Sequence, residues 1–408
     1  MLKIWFLTLL ILQIYFTEEA VITAASVGGE EWTGGGTTTT IPTSFGSSNP
    51  EFSNAYTALQ AWKSAITGDP SGILKTWVGT NVCSYRGVFC AEAQDMSTEL
   101  VVAGIDLNHA SLQGSLVKEL SLLSDLSILH LNSNRFSGTI PDSFKDLQNL
   151  LELDLSNNQF SGPFPLLTLQ LPNLLYLDIR YNEFSGQIPE ELFNRGLDAI
   201  FLNNNMFQGQ IPQSLGNSPA SVITLANNNL SGSIPASFGY MGPRIKEILF
   251  FNNHLTGCIP EGVGFLTEME VLDVSHNALS GHLPDTLSCL SGVEVLNLAY
   301  NQLSGVLPDI VCSLKSLVNF TVSYNFFSGF SQECSKLVFR SVGFDFSGNC
   351  IPGKNMQRPP PECSGIPGDL NCLRVPSAKP LMCDTMDQIP GVIHPRSYVF
   401  GPSMTGSP

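Results

Sequence analysis

Basic residues are scarce in this chain. Its 408 residues include 19 Lys and Arg against 35 Asp and Glu, which gives a formal net charge of −16 at pH 7. A chain this acidic has little positive charge with which to neutralise phosphates, which argues against nucleic acid as a partner. The same acidity favours basic partners, although plain solubility explains an acidic secreted protein equally well.

Signatures of catalysis are also missing. The sequence has no H-E-x-x-H, no G-x-S-x-G and no glycine loop of the phosphate-binding kind. Its six histidines are scattered along the chain rather than grouped. We therefore expect no enzyme activity, no cofactor and no metal site.

Long apolar runs are absent, with one short exception at the amino terminus. Residues 1–16 read MLKIWFLTLLILQIYF, a run too short to span a bilayer but typical of a secretory signal. We predict a signal peptide over 1–25, with a mature chain that is secreted and has no membrane span. Residues 26–51, rich in Gly, Thr and Ser, and the aperiodic tail 384–408 are both expected to be flexible.

What the sequence does contain is a repeated phrase, L-x-L-x-x-N, followed in most copies by x-F/L-S-G-x-I-P. Ala110 takes the place of the asparagine in the first copy, and successive positions are 23, 24 or 25 residues apart. The asparagines are Asn134, Asn158, Asn182, Asn205, Asn228, Asn253, Asn277, Asn301, Asn325 and Asn349. A fixed period of this size is typical of a leucine-rich repeat solenoid.

We therefore predict an α/β solenoid of about 11 repeats over residues 100–350. Its concave side is a parallel sheet, its convex side is 3-10 or irregular, and its caps at 52–99 and 351–383 carry disulfides. The asparagine of each repeat is expected to satisfy backbone groups where the strand turns away. Glycine four residues later suits a positive φ, and proline seven residues later favours extended chain.

Ten cysteines fall into two groups, which agrees with disulfides in a secreted chain. Cys83 and Cys90 are expected to pair in the amino-terminal cap. Cys289 and Cys312 occupy nearly equivalent places in adjacent repeats, so they are predicted to pair across neighbouring rungs. The spacing does not assign partners to Cys258, Cys334, Cys350, Cys363, Cys372 and Cys383.

Outward-facing positions lie one, two, four and six residues before each repeat asparagine. They hold exposed aromatics and acids, which together suit a basic peptide. Aspartate is also common at this position of leucine-rich repeats, so the acids alone are weak evidence for a binding site. The candidate contact residues are Tyr176, Asp178, Tyr181, Phe201, Phe251, Asp273, Tyr300 and Tyr324. The sequons at Asn229 and Asn319 are candidate glycan sites.

The cysteine-containing segments at the two ends of the repeats resemble a more specific family than the repeats themselves do. The stretch Val82-Cys-Ser-Tyr-Arg-Gly-Val-Phe-Cys90 and the stretch Asn349-Cys-Ile-Pro-Gly353 resemble the leucine-rich repeat extensins of plant cell walls. The resemblance covers residues 52–365 and implies a wall or apoplastic protein. It further implies that the repeats bind small, basic, cysteine-containing signalling peptides of the rapid alkalinization factor type. The Ser-Pro-rich tail of that family does not follow here, so anchoring by the tail is not expected.

Two other functions stay open. The first is inhibition of pathogen polygalacturonases, a defence role of similar secreted repeat proteins. The second is a structural wall scaffold, for which wall polysaccharide, another wall protein or a second copy of the chain would be the partner.

Overall fold

A computed structural model describes residues 50–93, 99–241 and 244–364, together with Cys372 and Cys383. Contacts divide the chain into residues 1–48 and 49–408, and every described residue belongs to the second unit. The predicted signal peptide, nearly all of 26–51 and the tail 384–408 therefore lie outside the described residues.

The amino-terminal cap is built around tryptophan. Helix α1 (Pro50–Ala65) leads into strand β1 (Ile66–Gly68), two 3-10 turns (Ile73–Thr76 and Val82–Ser84) and strand β2 (Val88–Glu92). Trp62 from α1 lies 5.9 Å from Trp77, measured between ring centroids, and both rings are fully buried. The buried face of α1 thus closes the amino-terminal end of the repeat core.

The concave sheet contains twelve strands within the described residues. β2 pairs antiparallel with β3, and from β3 onward each strand pairs in parallel with its equivalent in the next repeat. These parallel strands are β3 (Leu100–Asp106), β5 (Ile128–His130), β7 (Glu152–Asp154), β9 (Tyr176–Asp178), β11 (Ala199–Phe201), β13 (Val222–Thr224), β15 (Glu247–Leu249), β17 (Val271–Asp273), β19 (Val295–Asn297), β21 (Asn319–Thr321) and β23 (Gly343–Asp345).

A second sheet follows the repeat asparagines, where the sequence predicted only a turn and extended chain. It begins with β1, which pairs antiparallel with β4, and continues in parallel through the repeats. Its other strands are β4 (Gln113–Gly114), β6 (Arg135–Gly138), β8 (Gln159–Pro163), β10 (Glu183–Gly186), β12 (Met206–Gln210), β14 (Asn229–Ser233), β16 (His254–Gly257), β18 (Ala278–Gly281), β20 (Gln302–Leu307) and β22 (Phe326–Phe330).

The convex side carries short 3-10 turns, as predicted. In most repeats the proline of the repeat phrase precedes such a turn directly, with a φ near −65° as at Pro260. The turns are Lys118–Leu122, Asp142–Asp146, Leu166–Gln170, Glu190–Asn194, Gln213–Asn217, Ala236–Tyr240, Glu261–Phe265 and Asp285–Cys289, and they are followed by the α-helices α2 (Asp309–Cys312), α3 (Gln332–Lys336) and α4 (Pro360–Cys363).

The predicted asparagine stack runs through the interior. Asn325 is fully buried, and its amide nitrogen donates hydrogen bonds to the carbonyls of Leu298, Val322 and Ser323 at 2.9–3.3 Å. Its side-chain oxygen accepts from the backbone amide of Leu303 at 3.0 Å. One side chain therefore satisfies four buried backbone groups, which explains why the repeat keeps an amide in an apolar core.

The predicted Cys83–Cys90 disulfide is present, but the predicted Cys289–Cys312 pair is wrong. Cys312 instead pairs with Cys334 in the following rung, with the two Cα atoms 4.9 Å apart. Every rung has two neighbours, and repeat spacing alone does not say which neighbour supplies the partner. Chain beyond the last repeat supplies the rest of the framework, in the pairs Cys289–Cys383, Cys258–Cys372 and Cys350–Cys363.

Candidate binding face

The concave face consists of the outward positions one, two, four and six residues before each repeat asparagine. Together these positions hold seven acidic residues and one arginine, with no lysine. The acids are Asp106, Glu152, Asp154, Asp178, Glu247, Asp273 and Asp345. The face is therefore acidic along much of its length, in keeping with the charge of the whole chain.

The amino-terminal part of this face holds a histidine among carboxylates. The His130 ring nitrogen lies 2.9 Å from a Glu152 carboxylate oxygen, and both side chains are partly exposed. Burial lowers the pKa of His130, but the hydrogen bond to Glu152 and the charges of Asp154, Glu152 and Asp106 outweigh burial and raise it. The imidazole thus neutralises part of the acidic surface at mildly acidic pH.

Two predicted contact residues lie buried next to this patch. Asp178 is fully buried, and one of its carboxylate oxygens lies 3.0 Å from Nε of Arg180. Phe201 is only 7% exposed, because the Arg180 guanidinium covers its ring at 5.1 Å and the Tyr176 ring packs against it at 5.3 Å. Phe201 and Asp178 are therefore covered by neighbouring side chains, which leaves neither of them open to a ligand.

This cluster also perturbs the titration of its own groups. Burial, followed by the neighbouring charge of Asp154, raises the pKa of Asp178 to about 8 even though Arg180 opposes the shift. Burial and the carboxylates of Asp178 and Asp154 raise the pKa of Tyr176, whose hydroxyl lies 3.3 Å from Asp178. Within this part of the face, ionisation of Asp178 is disfavoured.

The centre of the face is less polar. Phe251, the aromatic that the sequence placed two residues before Asn253, is half-buried and keeps accessible surface. Asp273 accepts hydrogen bonds from the backbone amide and hydroxyl of Ser275 at 2.9 and 2.6 Å, and from the Asn297 amide at 2.9 Å. Burial raises the pKa of Asp273, although these hydrogen bonds oppose the shift.

The residues one position before each repeat asparagine form a column along one edge of the face. Each of them has a left-handed backbone conformation. Tyr300 and Tyr324 both have φ near 54° and both are 44% exposed. Their rings stack at 4.3 Å between centroids, and His276 stacks on Tyr300 at 4.2 Å. We call His276, Tyr300 and Tyr324 the aromatic ladder. Tyr181 occupies the same column and is 37% exposed, but it stands between two asparagines, Asn157 and Asn204.

The two sequons lie on different faces. Asn229 is exposed at the start of β14 in the second sheet. Asn319 lies half-buried on β21 in the concave sheet, where its side-chain oxygen accepts a hydrogen bond from the Thr321 hydroxyl at 3.0 Å. A glycan on Asn229 would leave the concave face open, whereas one on Asn319 would cover part of its carboxy-terminal end.

Within residues 50–93, 99–241 and 244–364, no group of three or more His, Cys, Asp or Glu is placed to hold a metal ion. No helix in those residues is both long and apolar enough to cross a membrane.

Family models match several parts of the chain. A model described as the leucine rich repeat N-terminal domain matches residues 53–91, and leucine rich repeat models match 124–184, 221–241, 268–290 and 292–314. Leucine-rich repeat extensin-like protein 2 of Arabidopsis thaliana is 56% identical over 316 residues, which is 78% of this chain and 40% of that protein. Leucine-rich repeat extensin-like protein 3 of the same plant is 68% identical over 166 residues, or 41% of this chain and 22% of that protein.

The repeats are homologous to those of the leucine-rich repeat extensin-like proteins. This confirms the family resemblance read from the cysteine-bearing edges, although the chain spans less than half the length of these curated relatives. Among solved structures, the Arabidopsis receptor kinase HAESA, in complex with the peptide hormone IDA and the co-receptor SERK1, is similar with a TM-score of 0.63. That match has 28% identity and covers 72% of this chain and 53% of that one. The domain thus has the fold of plant extracellular leucine-rich repeats, and its five disulfides fit an oxidising compartment.

Sequence reasoning missed two features of the extensin-like repeat face. It recorded His276 as a scattered histidine, although this residue is the first ring of the aromatic ladder. It also overlooked Arg180, whose guanidinium removes Phe201 from the accessible surface. Both residues lie at outward positions of the repeat, so comparing chemistry between adjacent repeats, column by column, would have found them.

Proposed function

We propose that this extensin-like repeat domain binds a small, basic, cysteine-containing signalling peptide of the rapid alkalinization factor type on its concave face, in the plant cell wall or apoplast. The observation that carries the proposal is the charge of that face, with seven acids against one arginine. Burial raises the pKa of Asp178 to about 8, so below that pH the charge of Arg180 is opposed by the other six acids, and the face stays acidic. An acidic surface of this kind steers a cationic ligand and discriminates against anionic ones.

The comparisons support a peptide as the class of ligand. HAESA, the similar receptor ectodomain, is described in complex with a peptide hormone. Exposed aromatics beside the acids supply rigid contact area of the kind that carries binding energy. Phe251, Tyr300, Tyr324 and Tyr181 remain candidates for contact in this proposal, together with the half-buried Tyr176 and Asp273.

The experiment titrates the mature domain with a synthetic cationic, disulfide-bonded peptide at several salt concentrations. The triple variant Asp106→Asn/Glu152→Gln/Asp154→Asn removes three charges from the amino-terminal part of the concave face. We expect association to slow on the order of tenfold at low salt, with a weaker salt dependence. The matched control, Asp142→Asn/Asp146→Asn/Glu191→Gln, removes three exposed charges from the convex side.

Equal losses in the two triple variants would attribute binding to net charge alone and would contradict a concave site. Loss of pectinase activity on mixing the domain with a polygalacturonase would favour the inhibitor function instead. Retention on wall polysaccharide or self-association, with no peptide binding, would favour the scaffold.

A further inference from the structure

The aromatic ladder is a second feature of the concave face, separate from its acidic part. The rings of His276, Tyr300 and Tyr324 are nearly parallel, with interplanar angles of 22° and 10°. The exposed Met356, whose carbonyl accepts a hydrogen bond from the Gly348 amide, lies in the loop just beyond the last ring. The ladder therefore forms a short aromatic strip at the carboxy-terminal end of one edge of the face.

The fold does not require these rings. Left-handed backbone costs a residue with a large side chain roughly 1–2 kcal/mol, whereas asparagine tolerates it. Asn227 and Asn252 occupy the same column in earlier repeats, where the Asn252 amide donates to the Asn227 side-chain oxygen at 2.8 Å. Asparagine can thus occupy this position with little backbone strain, yet the three consecutive rungs of the ladder have His276, Tyr300 and Tyr324 there instead.

The geometry of the ladder determines which partner it can take. Stacking covers the ring faces, and the outer face of Tyr324 is closed by Gly348, where an added Cβ would lie 2.8 Å from the tyrosine ring. Since the two tyrosines are nevertheless 44% exposed, what they present is ring edges and hydroxyls. Aromatic edges are electropositive and favour contact with the electronegative face of another ring. A sugar that stacks on a ring face finds no free face between these rungs.

We propose that the edges of Tyr300 and Tyr324 form a subsite for an aromatic side chain of the peptide ligand, whose ring lies across them. This deepens the proposed function, on which it rests for the peptide nature of the ligand. Six rungs separate β7 from β19, which is about 29 Å at the usual strand spacing. The ligand would therefore place its aromatic residue about 29 Å from the basic group that contacts Asp154.

The test uses two uncharged synthetic pentapeptides that differ only in a central Trp or Leu, titrated while side-chain NMR signals are followed. We expect the wild-type domain to prefer the Trp peptide by about 2- to 12-fold, the range of a single aromatic pair. Tyr300→Asn/Tyr324→Asn should abolish the preference. His109→Asn, an aromatic-to-asparagine change in the same left-handed column but outside the ladder, should leave it intact.

Two results would overturn the subsite: no Trp preference in the wild type, or a preference that survives in the double variant. Cellohexaose binding that the double variant loses, with no effect on the peptides, would assign the ladder to polysaccharide and equally reject the proposal. Circular dichroism checks that the variants fold, and Tyr300→Phe/Tyr324→Phe, which retains the ring edges, should keep the preference. Because the pentapeptides carry no charge, their binding tests the subsite separately from the acidic patch, which is tested with the cationic peptide.

Discussion

Replacing Asp178 with asparagine tests the electrostatic description of the concave face. The carboxylate is fully buried, and burial together with Asp154 raises its pKa to about 8, despite the nearby Arg180. The unfolded chain releases the same proton near pH 4. Between these values the folded state holds a proton that the unfolded state has lost, so stability falls as pH rises. Asparagine keeps the shape and hydrogen-bonding capacity of the side chain without the titration.

The size of the effect follows from linkage. Each pH unit in this interval costs about 1.4 kcal/mol, so Asp178 should remove about 3 kcal/mol of stability between pH 5 and pH 7. For a chain of this length that corresponds to a fall in melting temperature of roughly 3–6 °C. The raised pKa values of His130 and Asp273 act in the same direction, since stability linked to a raised pKa is lost as pH rises. The wild-type domain should therefore be most stable at acidic pH.

The assay is thermal unfolding of wild type and Asp178→Asn from pH 4 to pH 8. The variant should show a flatter pH profile and a higher melting temperature than wild type at pH 7. Asp345→Asn, an exposed carboxylate in the same column, is the matched control and should follow the wild-type profile. A variant that is less stable than wild type at pH 7 would refute the reasoning. It would mean that Asp178 is ionised there and forms a stabilising pair with Arg180.

Two further substitutions test the interior of the repeats. Asn325→Ala leaves the buried amide of Leu303 without its acceptor and removes one of two donors from the carbonyls of Leu298, Val322 and Ser323, and should cost about 3 kcal/mol in urea unfolding. The exposed Asn252→Ala should cost about 1 kcal/mol or less. Gly281→Ala would place a Cβ 2.0 Å from the sulfur of Cys372, so we expect free thiols in maleimide labelling. Gly186→Ala, at a similar φ but with no atom within 4 Å of the new Cβ, should label no thiols.

The fold could be predicted from the sequence because each repeat states the same physical requirements. Alternating leucines give a strand, the asparagine satisfies the backbone where the strand ends, and proline precedes the convex turn. Stacked neighbours then complete one another's hydrogen bonds, as Leu296 pairs with Phe320 in the next rung. The second sheet was not predicted, because strands of four or five residues around S-G carry little hydrophobic alternation.

From the sequence, the site could be predicted only as sets of equivalent outward positions in successive repeats, and not as individual accessible side chains. Phe201 and Phe251 both occupy outward positions, but one is covered and the other is half-accessible. The difference comes from the neighbouring rung, where Arg180 extends over Phe201. Contacts between rungs depend on side-chain conformations that the repeat period does not encode. For the same reason the predicted partner of Cys312 was wrong. Cys312 pairs with Cys334 in the rung that follows it, and not with Cys289 in the rung before it.

The column before each asparagine separates what the fold requires from what it merely tolerates. Every residue there adopts the same left-handed backbone, for which asparagine is well suited. Where the column holds Asn227 and Asn252, packing and hydrogen bonding account for the choice. Where it holds Tyr300 and Tyr324, the two rings stack and their hydroxyls interact, yet both side chains remain 44% exposed. A residue that is costly for the backbone and open to solvent is best explained by what it contacts outside the chain, and on this domain that reasoning selects the ladder over the better covered Phe201.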